Sequence, residues 1–339
     1  MVSTANSDFW RAYDAKVKAM LAGGASPNAF TLPPTQVWFE LKTAPLEEVV
    51  NFRVHNLADT LRTADGSVDT SSNGYAQALS GYLDAVDTDG FVSPGDQTAL
   101  DDAEGKRKKA KADFEKVKVK ALEAYQQDKD DGVTDSTFEQ WIANHNYPQY
   151  GSAEGEMKKT QTTYDTIYRQ TQGKIDTLNK YRENVKDALN TTVLKPGFNM
   201  RIQDRDAGFS PAYSAQGLTR ELGEWFKDKG STTAQSFFKS KVADINSPAG
   251  SEDIFLEVTT KGSGKYDIQP GIWDLPNAKA LYPKLKLGVQ SPLDPTLARP
   301  FSFLVGFNVE LKVTMGGTSQ VLASSGENPV VLGILCKSV

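Results

Sequence analysis

Apolar residues recur at spacings of three and four through most of residues 1–193, and at a spacing of two through much of residues 194–339. The first spacing marks one face of an α-helix, the second one face of a β-strand. The expected fold class is therefore α+β. An N-terminal helical domain (1–193) carries a long antiparallel helical hairpin, and a mainly antiparallel, sandwich-like β domain (194–339) comes after it, with short helices near its start.

Within the helical part, "MVSTANSDFWRAYDAKVKAML" reads as an amphipathic helix after an Asn6/Ser7 cap, not as a basic segment leading into an apolar run. "PNAFTLPPTQ" breaks the pattern at 27–36, and Pro45 with Glu47 and Glu48 opens a second helix. A polar loop at 64–74 precedes the short helix "YAQALSGYLDAV". Two long arms come next, at about 97–127 through Leu100, Ala103, Phe114, Val117, Ala121 and Tyr125, and at about 153–190 through Met157, Tyr164, Ile167, Ile175, Leu178 and Val185. Their seam is heptad-like and suggests a coiled-coil hairpin with small and Tyr residues where Leu is commoner.

The connector at about 128–152 holds "TDSTFEQWIANHNYPQYG", an aromatic island between two polar arms. Ser136 with Glu139 reads as a capping box, and Phe138, Trp141 and Ile142 share the face of the short helix it opens. Tyr147 and Tyr150 straddle Pro148. These five aromatic and apolar residues are either a contact surface for a membrane or a partner, or a clasp that closes the hairpin, and the clasp is preferred to a membrane probe. Burial of Trp141 against Tyr125 or Met157 is what distinguishes them.

In the β part, Phe301, Phe303, Val305, Phe307, Val309, Leu311 and Val313 all fall on odd positions, which reads as one strand with a wet face. "DIFLEVTT", "KYDIQ", "KLKLGV" and "PVVLGILCKSV" add strands, while "LTRELGEWFKDKG" and "TAQSFFKSKVADI" look like short helices. "KGSGKYD" at 261–267 lacks P-loop spacing and is expected to be a hairpin turn.

At 339 residues the chain has room for two cores, and it contains no run near the roughly 18 apolar residues of a membrane-spanning helix. With a single cysteine, Cys336, no internal disulfide can form, so the cytoplasm is the expected compartment. The net charge of −5 leaves neither half strongly basic, and nucleic acid is not an expected partner.

Chemistry is sparse. Two histidines, His55 and His145, exclude His-rich metal sites and leave little for a nucleophilic triad. The stretch "AVDTDGFVSPGD" partly fits a calcium loop, with Asp87, Asp89, Ser93 and Asp96 at ligand positions, but Ala85 stands where the first ligand should be. No metal and no cofactor are expected. The basic run at 106–120 reads as the solvated face of its helix. Candidate catalytic groups are Arg201, Asp204, Tyr213 and Asp274, the densest Asp, Arg and Tyr residues near the domain junction.

The expectation leans away from an enzyme and towards a non-catalytic assembly or partner-binding protein, engaging itself or another protein through the hairpin. One alternative is a membrane-acting protein like the α-helical pore-forming toxins in architecture alone. Another is a small-molecule enzyme using the Asp, Arg and Tyr groups.

Overall fold

The structure, a computed structural model, describes every residue except 1–3, 24–27, 35, 72, 145–146, 203–207, 229–232, 242–253 and 316. In chain order its elements begin α1 (Thr4–Ala22), β1 (Ala29–Thr31), α2 (Glu47–Ala58) and α3 (Tyr75–Ala85). Four helices come next: α4 (Pro94–Asp130), α5 (Phe138–Ala143), α6 (Pro148–Thr171) and α7 (Gly173–Leu189). After them lie β2 (Met200–Arg201), β3 (Gly208–Phe209), β4 (Tyr213–Ala215), α8 (Leu218–Lys227), β5 (Gln235–Lys241), β6 (Ile254–Thr260) and β7 (Gly262–Pro270). The last are α9 (Ala278–Leu281), β8 (Ala298–Phe307), β9 (Glu310–Met315), β10 (Thr318–Ser324) and β11 (Pro329–Ser338). Helices and antiparallel sheets thus combine in an α+β fold.

Two compact units emerge. One joins Met1–Val86 to Tyr181–Val339, and the other is Asp87–Lys180. The change of apolar spacing puts a boundary near 193, because the early helices look like their helical neighbours. They pack differently, however: Tyr13, Val17 and Leu21, one stripe of α1 at four-residue spacing, are buried with Leu256 and Val258 of β6, Leu304 of β8, Leu311 of β9 and Leu332 of β11. Each such side chain contributes roughly 1.5–3 kcal/mol on burial. That stripe ties α1 to both large sheets.

The first sheet runs β1-β11-β8-β7-β4 and the second β10-β9-β6-β5. The run 301–313, expected to be a single strand, is two strands in different sheets. At Asn308 the backbone turns left-handed, with φ of 52°, a conformation that Asn tolerates better than most residues. Val309 N then donates to Ser325 Oγ at 2.9 Å. The neighbouring chain changes sheet at the same corner: β6 pairs with β9, β7 pairs with β8, and Lys261 between them donates its N–H to Phe307 O at 3.0 Å. "KGSGKYD" is therefore not a hairpin turn but a crossover residue followed by strand. Gly262 in it answers to packing, since a Cβ there would stand 2.5 Å from the Trp225 indole.

Neither face of β8 is wet: Ser302, Leu304 and Gly306 are buried along with Phe303 and Val305. Two further expectations change: the described part of "TAQSFFKSKVADI" forms β5, paired with β6, and "KLKLGV" makes only an isolated bridge from Leu285 to Val86.

In the other unit α4 is 37 residues long, about 55 Å at 1.5 Å per residue. It packs against α6, and Leu100, Ala103, Phe114 and Ala121 are its buried residues. The return arm expected at 153–190 is not continuous: it breaks at Gln172, beside Gly173, a residue type that disfavours helix interiors. Among the described residues no helix is long and apolar enough to cross a membrane.

Candidate functional site

At the tip of the hairpin the aromatic residues pack on one another. Trp141 is 3% exposed, with its ring 5.7 Å from Tyr125, 6.2 Å from Phe138 and 6.4 Å from Tyr147. Its Nε1 donates to Asp128 Oδ2 at 2.9 Å. Tyr150 lies between Phe114, at 5.2 Å, and Phe138, at 5.8 Å. Phe138, Ile142, Tyr147 and Tyr150 are half-buried. This is the geometry of a clasp that joins the end of α4 to the start of α6.

The capping box lies one residue later than the sequence suggested. Thr137 Oγ1 accepts from Gln140 N at 3.3 Å, and Gln140 Oε1 accepts from Thr137 N at 3.1 Å. Ser136 instead offers its backbone oxygen to the Tyr125 hydroxyl at 2.8 Å. His145 lies outside the described residues.

The calcium candidates are engaged locally. Asp87 Oδ1 accepts from Asp89 N at 2.9 Å, closing a turn. Ser93 caps α4 by accepting from Asp96 N at 3.1 Å, and its hydroxyl donates to Asp96 Oδ2 at 2.7 Å. Among the described residues no three His, Cys, Asp or Glu side chains gather as metal ligands would.

Of the four catalytic candidates, two fall in one buried cluster. Arg201 is exposed on β2, and Asp204 lies outside the described residues. Asp274 and Arg299 form an ion pair at 2.9 Å, each side chain 7% exposed, and the Tyr75 hydroxyl donates to the second carboxylate oxygen at 2.9 Å. The Arg299 guanidinium lies over the Tyr75 ring, 3.9 Å from its centre. Burial opposes the charge of Arg299, yet Tyr75 and Asp274 beside it hold its pKa above the ordinary value.

Tyr213, also buried, donates to Asp59 Oδ1 at 3.0 Å, and Trp273 stands between the two halves, 5.5 Å from Tyr213 and 6.2 Å from Tyr75. Asp59 stabilises the start of α3 by accepting from Ala76 N at 3.0 Å. Burial pushes its pKa up to about 6, against the hydrogen bonds from Ala76 and Tyr213 that favour the carboxylate. Gly74 is required here: its φ is 94°, and a Cβ would stand 2.5 Å from the Asp59 carboxylate.

A cavity of about 370 Å³ adjoins this cluster, lined by Tyr75, Asn277, Leu293, Arg299 and Lys337 among others. Neither Asp274, Asp59 nor Tyr213 lines it. Lys337 is held below the usual lysine pKa by burial and by Arg299. The acids and hydroxyls are thus spent on one another, and Arg299, which lines the cavity, is already neutralised by Asp274.

Burial also shifts the remaining candidates for chemistry, His55 and Cys336. His55 lies among aromatic rings, 5.4 Å from Phe209 and 5.9 Å from Tyr213, and burial lowers its pKa. Burial pushes the Cys336 thiol up to about 12, far from a reactive thiolate.

Tyr213 and Asp274 were legible as candidates, but Asp59, Tyr75, Arg299 and Lys337 were not, because no spacing links residues that only the sheets bring together. Compared with known proteins, the chain matches no family model, no curated protein and no solved structure.

Proposed function

We propose that this chain is a non-catalytic binding protein that engages a second copy of itself or another protein through its helical hairpin. The observation that carries this reading is the half-open seam of the 87–180 unit. Only Thr171 is buried along α6, while Met157, Thr160, Tyr164 and Ile167 remain half-covered. On α4, Val119 and Leu122 are 54% and 41% exposed and, three residues apart, lie on one face. Two helices cover each other on one side only, and bundles complete such surfaces with further helices.

Two other features support binding over chemistry. The titratable groups of the buried cluster are each engaged in bonds that hold the fold, and Asp59, Tyr213 and Asp274 do not line the adjoining cavity. The tip aromatics are packed as a clasp, so a membrane-inserting role would first have to open it. A cytoplasmic setting accords with the single, buried cysteine.

The test is to purify the chain under native conditions and measure its mass in solution together with whatever co-purifies stoichiometrically. A self-assembled species or a stable complex is expected, lost when Val119→Glu and Leu122→Glu are combined. A strictly monomeric protein that retains no partner sinks the proposal.

A further inference from the structure

Arg53, on α2, and Arg62, just beyond its end, line one cavity of about 290 Å³ together with Trp38, Asn56, Leu57 and Val331. Arg62 is 8% exposed; its Nη1 donates to Gly66 O at 2.7 Å, and its backbone bridges to Ala298. The Nε atoms of both arginines are buried and donate to no acceptor among the described residues. Arg53 lies against the Phe39 and Phe52 rings, at 5.8 and 5.9 Å, contacts that leave the in-plane N–H edge of a guanidinium free to donate.

Two guanidiniums that line one cavity with buried, unpartnered Nε atoms among the described residues are a costly arrangement, since each loses hydration there. Burial lowers the Arg62 pKa, with Cys336 as the titratable neighbour that opposes this. That neighbour offers little negative charge near neutrality, because its own thiol is pushed up to about 12. Among the described residues no carboxylate forms an ion pair with either arginine.

We infer that this cavity is a binding site for a small organic carboxylate, whose head group is taken by Arg53 and Arg62 and whose apolar body lies against Trp38, Leu57 and Val331. The fork of a guanidinium matches the two oxygens of a carboxylate. Size limits the body: a cavity of about 150 Å³ holds one benzene ring, so this one admits a single ring or short chain with its acid. The site lies wholly in the unit formed by Met1–Val86 and Tyr181–Val339 and is independent of the hairpin.

Calorimetric titration of the full chain with 3-phenylpropionate, 3-phenylpropanol and inorganic phosphate tests it. Saturable one-to-one binding of 3-phenylpropionate is expected, about tenfold or more tighter than phosphate, with no saturable binding of the alcohol. Arg53→Gln, which removes the guanidinium whose Nε has no acceptor among the described residues, should weaken binding about tenfold while leaving the circular dichroism spectrum unchanged. Arg62→Lys, which keeps the charge and loses the fork, should weaken it as well. Absence of saturable binding by the carboxylate overturns the inference, as does equal affinity for the alcohol or for phosphate, or affinity unchanged in both variants.

Discussion

Replacing Trp141 by alanine removes the centre of the hairpin clasp. The side chain is 3% exposed, packs on Tyr125, Phe138 and Tyr147, and donates to Asp128. A buried aromatic of this size contributes about 4–6 kcal/mol by area, and measured losses for truncating Phe or Trp to Ala are about 3–5 kcal/mol. The lost hydrogen bond to Asp128 lies within that loss. We therefore expect Trp141→Ala to lower the stability of the 87–180 unit by about 3–5 kcal/mol, and Trp141→Phe, which keeps the ring and loses the donor, by about 1–2 kcal/mol.

Because the chain has two units, one unfolding curve would mix their transitions. Hydrogen exchange resolved by peptide separates them. Amides at the end of α4 and in α5 should lose protection in the alanine variant, while those of β8 and β11 keep theirs. Wild-type protection in α5 with a loss below about 1 kcal/mol would refute the clasp as a packed element.

The buried groups give three further expected outcomes. The folded-state pKa of Asp59, about 6 against an ordinary 3.8, means the native form binds more protons between those values, so stability present at low pH is lost as pH rises through 6. The contribution is about 3 kcal/mol, and thermal midpoints across that range should show it in the wild type and not in Asp59→Asn; an unchanged slope in the variant counts against it. Either single substitution, Asp274→Leu or Arg299→Met, should cost about 3–5 kcal/mol by leaving its partner charge buried and alone, whereas the double variant should cost less than either. A double-mutant cycle read by peptide-resolved hydrogen exchange in β8 and β11 measures this, and simple additivity would contradict it. Asn308→Gly should be near neutral and Asn308→Val should cost about 1–2 kcal/mol, measured in the same way, because the sheet crossover needs a positive φ. Equal stability of the two variants would show that the left-handed turn does not set the crossover.

The long outgoing arm was legible because α4 keeps its apolar spacing from Leu100 to Tyr125, about seven turns, and β6 and β11 because their apolar runs end at clear turn signals. The sheet crossover was hidden for a physical reason: Phe307 and Val309 are both buried and both odd-numbered, so the alternation passes through Asn308 without a mark although the strand changes sheets. In "TAQSFFKSKVADI" the adjacent Phe237 and Phe238 fit either period, and pairing with β6 decided for strand. "KLKLGV" alternates like a strand, yet Leu287 is fully exposed and only Leu285 bridges to another segment. The candidate site was half legible. Asp274 and Tyr213 stood out among local clusters of charge, but what fixes their chemistry is Tyr75, Asp59 and Arg299, brought in from distant segments. Arg62 gave no signal at all, since an arginine after an amphipathic helix reads as solvated until the loop that covers it is placed.

The binding role of the hairpin is tested most directly by sedimentation velocity on the wild type and the Val119→Glu/Leu122→Glu variant, each alone and with any protein that co-purifies with the wild type. The wild type should sediment as a complex, and the variant, with an unchanged circular dichroism spectrum, as a free monomer. Identical sedimentation of the two under every condition would contradict the account.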